Sequence, residues 1–383
     1  MIILHTSDWH LGLSLHRYDR LPQQEAMMSQ IGRIAAERQV DAIVISGDVF
    51  NVSQPSAQAQ RLFADALITI RRNCPNVRIV VTAGNHDSGS RHEAFCSPWQ
   101  ELGVTMVGNN HEGLEEEQIV DVAGRGFIIA VPYTNERMLL PDFYQQMLDR
   151  VAQRNPAGLP VVLMAHTSVK GCKFRGHTDA DDRTVGGIDY VGIDTFGTGY
   201  DYLALGHIHV PQSLSPSVRY SGSPLAVSFD EDYQHTVSIV TIDEHGSEPF
   251  VEEIPIDDPC PLISIPSTGF CSLDEALGLY KKLPKHQKGY VRLNVEIDDY
   301  LSPDAEQRAR DIASGKDSDF CLINARRRAR DIDPESSRSF TVEEFKEMPV
   351  IDVARMYLAD KGIELDSQLH EMLSTVISEC HED

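Results

Sequence analysis

Five separated apolar runs in this chain each lead into residues that can hold a metal ion. Ile2-Ile3-Leu4 is followed by Asp8-Trp9-His10, Ile43-Val44-Ile45 by Gly47-Asp48, and Ile79-Val80-Val81 by Gly84-Asn85-His86-Asp87. Val161-Val162-Leu163-Met164 leads into Ala165-His166, and Tyr202-Leu203-Ala204-Leu205 into Gly206-His207-Ile208-His209. Any one of these alone reads more simply as a capping carboxylate or a structural histidine. Repetition at five run ends is what points to ligation. Asp8, His10, Asp48, Asn85, His166, His207 and His209 mix imidazole with carboxylate. That donor set suits Mn2+, Fe2+ or Zn2+ and is too rich in nitrogen for Ca2+ or an ordinary Mg2+ site. So many donors exceed the needs of one ion and suit a pair, with Asp48 as the natural bridge because a carboxylate offers two oxygens. Two ions about 3.5 to 4 Å apart are equipped to attack a phosphate ester. His86, with Asp87 after it, is a candidate for protonating the leaving oxygen. Within Asp8-Trp9-His10, an extended backbone is expected to point both side chains the same way.

The elements that must position these residues follow from hydrophobic spacing. Helical periodicity covers residues 21–38 and 55–72, each followed by a run rich in Val and Ile. Strands alternating with amphipathic helices indicate βαβ units and a buried, mainly parallel sheet, whose polar ligands collect beyond the strand carboxyl ends. Residues 236–242 and 250–254 alternate instead, as an antiparallel hairpin closing a first domain over residues 1–254. Pro255, Pro259 and Pro261 read as a linker. Residues 262–333 follow a strand, helix, strand, helix, strand pattern and form a small α+β module. It ends in the basic run Arg326-Arg327-Arg328-Ala329-Arg330, expected in a loop and a candidate phosphate contact. Residues 341–383 carry two short amphipathic patterns that either pack on their own domain or dock on a partner helix.

Length and charge limit the possibilities. With 383 residues the chain is too long for one compact core. The net charge of −24 argues against a self-sufficient DNA binder, though not against one subunit of a complex. No apolar stretch approaches the roughly 18 to 20 residues of a membrane span, and the start lacks a basic-then-apolar leader. The cysteines are odd in number, scattered and without a Cys-x-x-Cys pair, so reduced thiols and a cytoplasmic location are expected.

Taken in order, Asp8-x-His10, Gly47-Asp48, Gly84-Asn85-His86-Asp87, Ala165-His166 and Gly206-His207-Ile208-His209 resemble the five motif blocks of the calcineurin-like metallophosphoesterases, over about residues 1–250. Finer features resemble the SbcD-type nuclease subunits of that superfamily. These are His5 to Gly12, Gly84 to Ser88, and Tyr220-Ser221-Gly222-Ser223-Pro224 followed by Ser228-Phe229-Asp230-Glu231. The resemblance implies an α/β fold: a two-sheet αββα core with a small α+β capping domain and a helical C-terminal tail. It implies two divalent metal ions, usually Mn2+. Asp8, His10 and His209 would hold one ion and Asn85, His166 and His207 the other, with Asp48 shared and His86 assisting the leaving group.

The same resemblance implies a homodimer that pairs with an SbcC-type ATPase through that partner's coiled coil. Jointly they would act on DNA, as a double-strand 3′-5′ exonuclease and a single-strand or hairpin endonuclease. The partner would supply the ATP site, for which this chain has no Gly-x-x-x-x-Gly-Lys-Ser/Thr motif. Asn51 departs from the superfamily, which often has Asp or His three residues after the bridging carboxylate. Two other functions share the same ligands: a stand-alone phosphodiesterase or phosphatase, and a clamp subunit with a decayed site. The small module, the Arg326 to Arg330 run and the amphipathic tail favour the nuclease over the first. The complete ligand set favours it over the second.

Overall fold

The computed structural model describes residues 1–134 except 112 and 114, residues 142–174 and 190–328, and positions 351, 353, 355, 372 and 373. It divides into two compact units, Met1–Arg326 and Arg327–Asp383. In the second, Ile351, Val353, Arg355, Met372 and Leu373 are helical. The rest of the expected tail over 341–383 lies outside the described residues, as do Arg330 and the segment 331–340.

The first unit opens with β1 (Ile2–Thr6), a hairpin of β2 (Ser14–Leu15) and β3 (Tyr18–Asp19), α1 (Leu21–Glu37), β4 (Ala42–Ser46), α2 (Ala57–Asn73) and β5 (Arg78–Thr82). Two short helices, α3 (Gly89–Glu93) and α4 (Cys96–Glu101), precede β6 (Val104–Val107), β7 (Ile119–Asp121) and β8 (Phe127–Ala130). Then come α5 (Phe143–Arg154), β9 (Val161–His166), β10 (Tyr202–Gly206), β11 (Gln212–Ser215), β12 (Val218–Tyr220), β13 (Thr236–Thr241) and β14 (Phe250–Pro255). The chain continues through β15 (Leu262–Ile265), α6 (Leu273–Lys282), β16 (Gly289–Ile297), α7 (Ala305–Ala313) and β17 (Ser318–Arg327).

Two six-stranded sheets form the core, in the orders β14-β13-β1-β4-β5-β6 and β11-β12-β10-β9-β8-β7. β1, β4, β5 and β6 run parallel, while β13 pairs antiparallel with β1 and β14 with β13. In the second sheet β8, β9, β10 and β12 are parallel and both edges are antiparallel. Side chains alternate between two apolar environments because strand residues point to opposite faces in turn. Ile43 and Ile45 pack with Met27, Ile31, Phe63 and Leu67 of α1 and α2. Ala42 and Val44 instead meet Val162, Met164, Tyr202 and Ala204 of the other sheet. On the far side Leu163, Leu203 and Leu205 pack on Tyr144, Met147, Leu148 and Val151 of α5. The result is the four-layer αββα arrangement, and burial on both faces explains why the parallel strands are continuous apolar runs.

Between the sheets lies one ionisable exception. His5 is fully buried, with its Nδ1 2.9 Å from the Tyr202 hydroxyl. Burial, reinforced by the nearby Arg219 charge, lowers its pKa to about 3. The unfolded chain takes up this proton near pH 6.5, whereas the folded chain resists until about pH 3. Stability is therefore expected to fall with pH through that window, by up to about 1.4 kcal/mol per pH unit. Urea unfolding at pH 7 and pH 5 in EDTA checks this: His5→Gln should show a shallower pH dependence than the unsubstituted chain.

A third sheet, β15-β16-β17, with α6 and α7 over it, has its own core of Ala276, Leu277, Tyr280, Val291, Leu293, Val295 and Phe320. Ser272 caps α6 by accepting from the Glu275 N–H. This module sits against the sandwich: Tyr18 donates to the Phe320 carbonyl, and Leu15 and Phe229 pack with Tyr290 and Cys321. Two expectations need correction. Residues 255–261 are pinned, not a loose linker: Ile256 is buried in the first core, and Asp258 accepts from the buried Arg20 guanidinium at 2.6 Å. Arg326 and Arg327 end strand β17 instead of lying in a loop, because pairing with β16 continues the ladder into the basic run. Among the described residues no helix is long and apolar enough to cross a membrane, and the six cysteines there are free thiols.

Candidate metal centre

All seven proposed ligands converge just beyond the carboxyl ends of β1, β4, β5, β9 and β10. Three groups of donor atoms lie within 4.8 Å of one another: Asp8, His10 and His209; His10, Asp48 and His86; Asp48, His166 and His207. Asn85 joins the third, its Oδ1 3.0 Å from His166 Nε2 and 3.1 Å from His207 Nδ1. Asp48 belongs to two of the three groups.

The backbone reaches this geometry differently from the extended ends expected. Asp8 and His10 lie past the end of β1 with φ of 53° and 45°, and Asp48 and His207 have φ of 50° and 95°. Such conformations cost on the order of 1–3 kcal/mol each and persist only where the surroundings over-determine them. Here hydrogen bonds do so. The Asp8 N–H donates to the Gly47 carbonyl at 3.0 Å, the His10 N–H to the Asp48 carbonyl at 3.1 Å, and the His207 N–H to the Asp8 carboxylate at 3.0 Å. Gly84 is required by close approach, since a Cβ there would overlap the Asp48 carboxylate.

The donor set fits a divalent cation. The His166 Nδ1 faces the Ser46 carbonyl at 2.8 Å and the His209 Nδ1 faces the Glu231 carboxylate at 2.7 Å. Both neighbours only accept, so each ring carries its proton on Nδ1 and presents a lone pair at Nε2. Those lone pairs meet more acceptors: His166 Nε2 lies 3.4 Å from Asp48 Oδ2, and His209 Nε2 lies 3.1 Å from His10 Nε2. A cation between them resolves the opposition.

Electrostatics agree. Burial, together with the neighbouring His209, lowers the His10 pKa to about 3, keeping the ring neutral as a ligand must be. Burial pushes the Asp8 carboxyl up to about 7, with His166 opposing and Asp48 adding to the rise. Burial also works against the Asp48 charge, but His166 outweighs it and holds that carboxyl well below its usual range. Two carboxylates crowded in one pocket call for positive charge beside them.

The remaining site candidates are placed as follows. His86 is half-buried, its ring centroid 5.0 Å from that of His10, and its Nδ1 donates to the Asn51 carbonyl at 3.0 Å. Position 51 thus seats His86 through its backbone, whatever its side chain. The expected pairing of Asp87 with His86 in proton transfer is corrected. Asp87 accepts from the N–H groups of Val49, Phe50 and Gly84 at 2.9 to 3.0 Å, so its oxygens are spent bracing the loop. Arg326, Arg327 and Arg328 are exposed at and just beyond the end of β17, in the small module and away from the seven ligands in sequence.

Sequence reading missed Glu231, which also accepts from the Val227 N–H at 3.0 Å, and Ser7, which donates to Asp8 and lies 2.8 Å from Ser221. The signal was present in the 220–224 and 228–231 motifs, noted as resemblances without a task.

Residues 1–211 match the family described as calcineurin-like phosphoesterase. Fold and centre together define a metal-binding phosphoesterase. The SbcD subunit of nuclease SbcCD from Rhodobacter capsulatus is 34% identical over 313 residues, spanning 74% of this chain and 76% of the relative. Its counterpart of the same name from Bacillus subtilis is 31% identical over 341 residues, 81% and 83% of the two chains. That from Escherichia coli K12 is 25% identical over 406 aligned positions, 98% of each. This chain belongs to the calcineurin-like phosphoesterase family, in its SbcD group.

Proposed function

We propose that the chain is the nuclease subunit of an SbcCD-type complex and hydrolyses phosphodiester bonds of DNA. The observation that carries this is the convergence of seven donors from five strand ends on a shared Asp48. The SbcCD names of the relatives supply the substrate and the partner. Asp8, His10 and His209 would hold one divalent ion and Asn85, His166 and His207 the other, with Asp48 common to both and Mn2+ the expected metal. When bound, such a pair supplies an activated water and neutralises charge on the phosphoryl oxygens.

The chain's own residues do the rest. Ser46 and Glu231 fix the tautomers of His166 and His209. Asp87 fixes the loop that carries Asn85 and His86, and Asn51 orients the His86 ring. With Nδ1 tied to that carbonyl, His86 offers Nε2 to carry the proton for the leaving oxygen. Substrate contacts are proposed for Asn51 and for Arg326, Arg327 and Arg328, the last three a local positive run in a chain of net charge −24.

The reading extends to 262–333 as a DNA-capping domain beside a nuclease domain over 1–254, and to 341–383 as the element docking on the SbcC coiled coil. It includes a homodimer, a cytoplasmic location, and both double-strand 3′-5′ exonuclease and single-strand or hairpin endonuclease activity stimulated by the partner's ATPase.

The test compares a small chromogenic phosphodiester with double-stranded ends and hairpins, with and without the partner ATPase, in Mn2+ and in EDTA. Cleavage of all substrates in Mn2+, loss of it in EDTA and stimulation on DNA by the partner are expected. Hydrolysis of the small ester alone, unaffected by the partner, would replace the nuclease with a stand-alone phosphodiesterase. Activity that survives EDTA would remove the metal centre from the account.

A further inference from the structure

The small module reaches the metal centre through a single strap of chain, Ser221 to Glu231. At one end the strap is fixed to His209 twice: the Ser223 N–H donates to the His209 carbonyl at 3.0 Å, and the His209 Nδ1–H donates to the Glu231 carboxylate at 2.7 Å. Gly222, at φ 75°, lies so close to the His209 carbonyl and Pro211 that no side chain fits between them. At the other end, the two residues before Glu231 are gripped by Arg292 of β16. Its Nη1 donates to Asp230 Oδ1 at 2.6 Å and its Nη2 to the Phe229 carbonyl at 3.0 Å. Its guanidinium also lies 5.2 Å over the Phe229 ring. Ser264 of β15 accepts from Nε and Nη2, so the fork is held from behind by the module's own sheet.

An exposed Arg–carboxylate pair is worth little, but Arg292 is only 13% exposed and grips a backbone carbonyl as well as a side chain. We infer that Arg292 is a positioning residue for the His209 side of the metal centre, acting from the small module through the Phe229–Glu231 strap. The module is then part of the centre's scaffold as well as a neighbour of it. Holding Phe229 and Asp230 fixes the backbone from which Glu231 reaches His209. Glu231 in turn fixes the His209 tautomer and ring direction, and partners at this remove set metal affinity by about 10–100-fold. The inference rests on the two-metal reading above, and it makes the two sites unequal in their dependence on the module. The Asn85, His166 and His207 side is anchored instead by Ser46, inside the sandwich.

The test is calorimetric titration of the full chain with MnCl2, which needs no turnover. Arg292→Ala is expected to weaken one of two sites about 10-fold and leave the other unchanged. Glu231→Gln should weaken the same site by at least as much. The double variant should be no weaker than Glu231→Gln, since both act along one path. Asp230→Asn, which removes the strap's half of the grip without touching the module, should reproduce the Arg292→Ala effect and serves if that variant fails to fold. Arg38→Ala, which breaks an exposed pair with Glu252, should leave both sites alone.

Unchanged affinities in folded Arg292→Ala and Asp230→Asn, an equal fall at both sites, or additive losses in the double variant would overturn the inference. Failure of the unsubstituted chain to bind two ions would overturn the two-metal reading beneath it, and is distinguishable because it precedes any substitution.

Discussion

Asp48→Asn is expected to fold normally, to lose its bound metal and to lose hydrolysis of a small phosphodiester by about 10³-fold or more, beyond the 10–100-fold of an outer partner. The substitution removes charge while keeping shape. An amide oxygen at Oδ1 can still accept from the His86 N–H, which Asp48 holds at 2.9 Å. The new amide N–H₂ lies where Oδ2 stands, 3.4 Å from the His166 lone pair. The metal-free pocket is therefore no worse satisfied than before. What disappears is the one anion common to two of the three donor groups. Circular dichroism, metal content by mass spectrometry and hydrolysis of a chromogenic diester together check this. A variant that keeps its metal and most of its rate would show that Asp48 is not shared.

His86→Gln is expected to behave in the opposite sense for metal: content near that of the unsubstituted chain, but hydrolysis slowed about 10²- to 10⁴-fold, the usual loss when a positioned acid or base is removed. If His86 acts only as the reaction proceeds, kcat falls while KM changes little. The glutamine amide can still donate to the Asn51 carbonyl that orients the imidazole at 3.0 Å, so the loop keeps its anchor. The result decides a point of geometry, because His86 also lies within donor reach of His10 and Asp48. Loss of metal from this variant would make His86 a ligand, not a proton carrier.

Much of this was legible in the chain itself, for stated reasons. Parallel strands buried on both faces must be unbroken apolar runs, so β1, β4, β5, β9 and β10 stood out, and with them the strand-end ligands. α2 came within two residues of its expected bounds, because Ser56 caps it by accepting from the Ala59 N–H. The short edge strands β7 and β11 carry no such signal. Left-handed backbone at Asp8, His10 and Asp48 was invisible because long-range hydrogen bonds impose it against local preference. The work of Asp87 and Asn51 was hidden for a related reason: both act on or through backbone groups, which every residue possesses. Glu231 lies 22 positions from His209 and meets it only because the strap folds back.

Anomalous diffraction at the manganese edge, from crystals of the chain soaked in MnCl2, tests the central claim most directly. Two peaks are expected about 3.5 to 4 Å apart, one among Asp8, His10 and His209, the other among Asn85, His166 and His207, with the Asp48 carboxylate between them. An absence of peaks at these side chains, or a single peak that Asp48 does not touch, would contradict it.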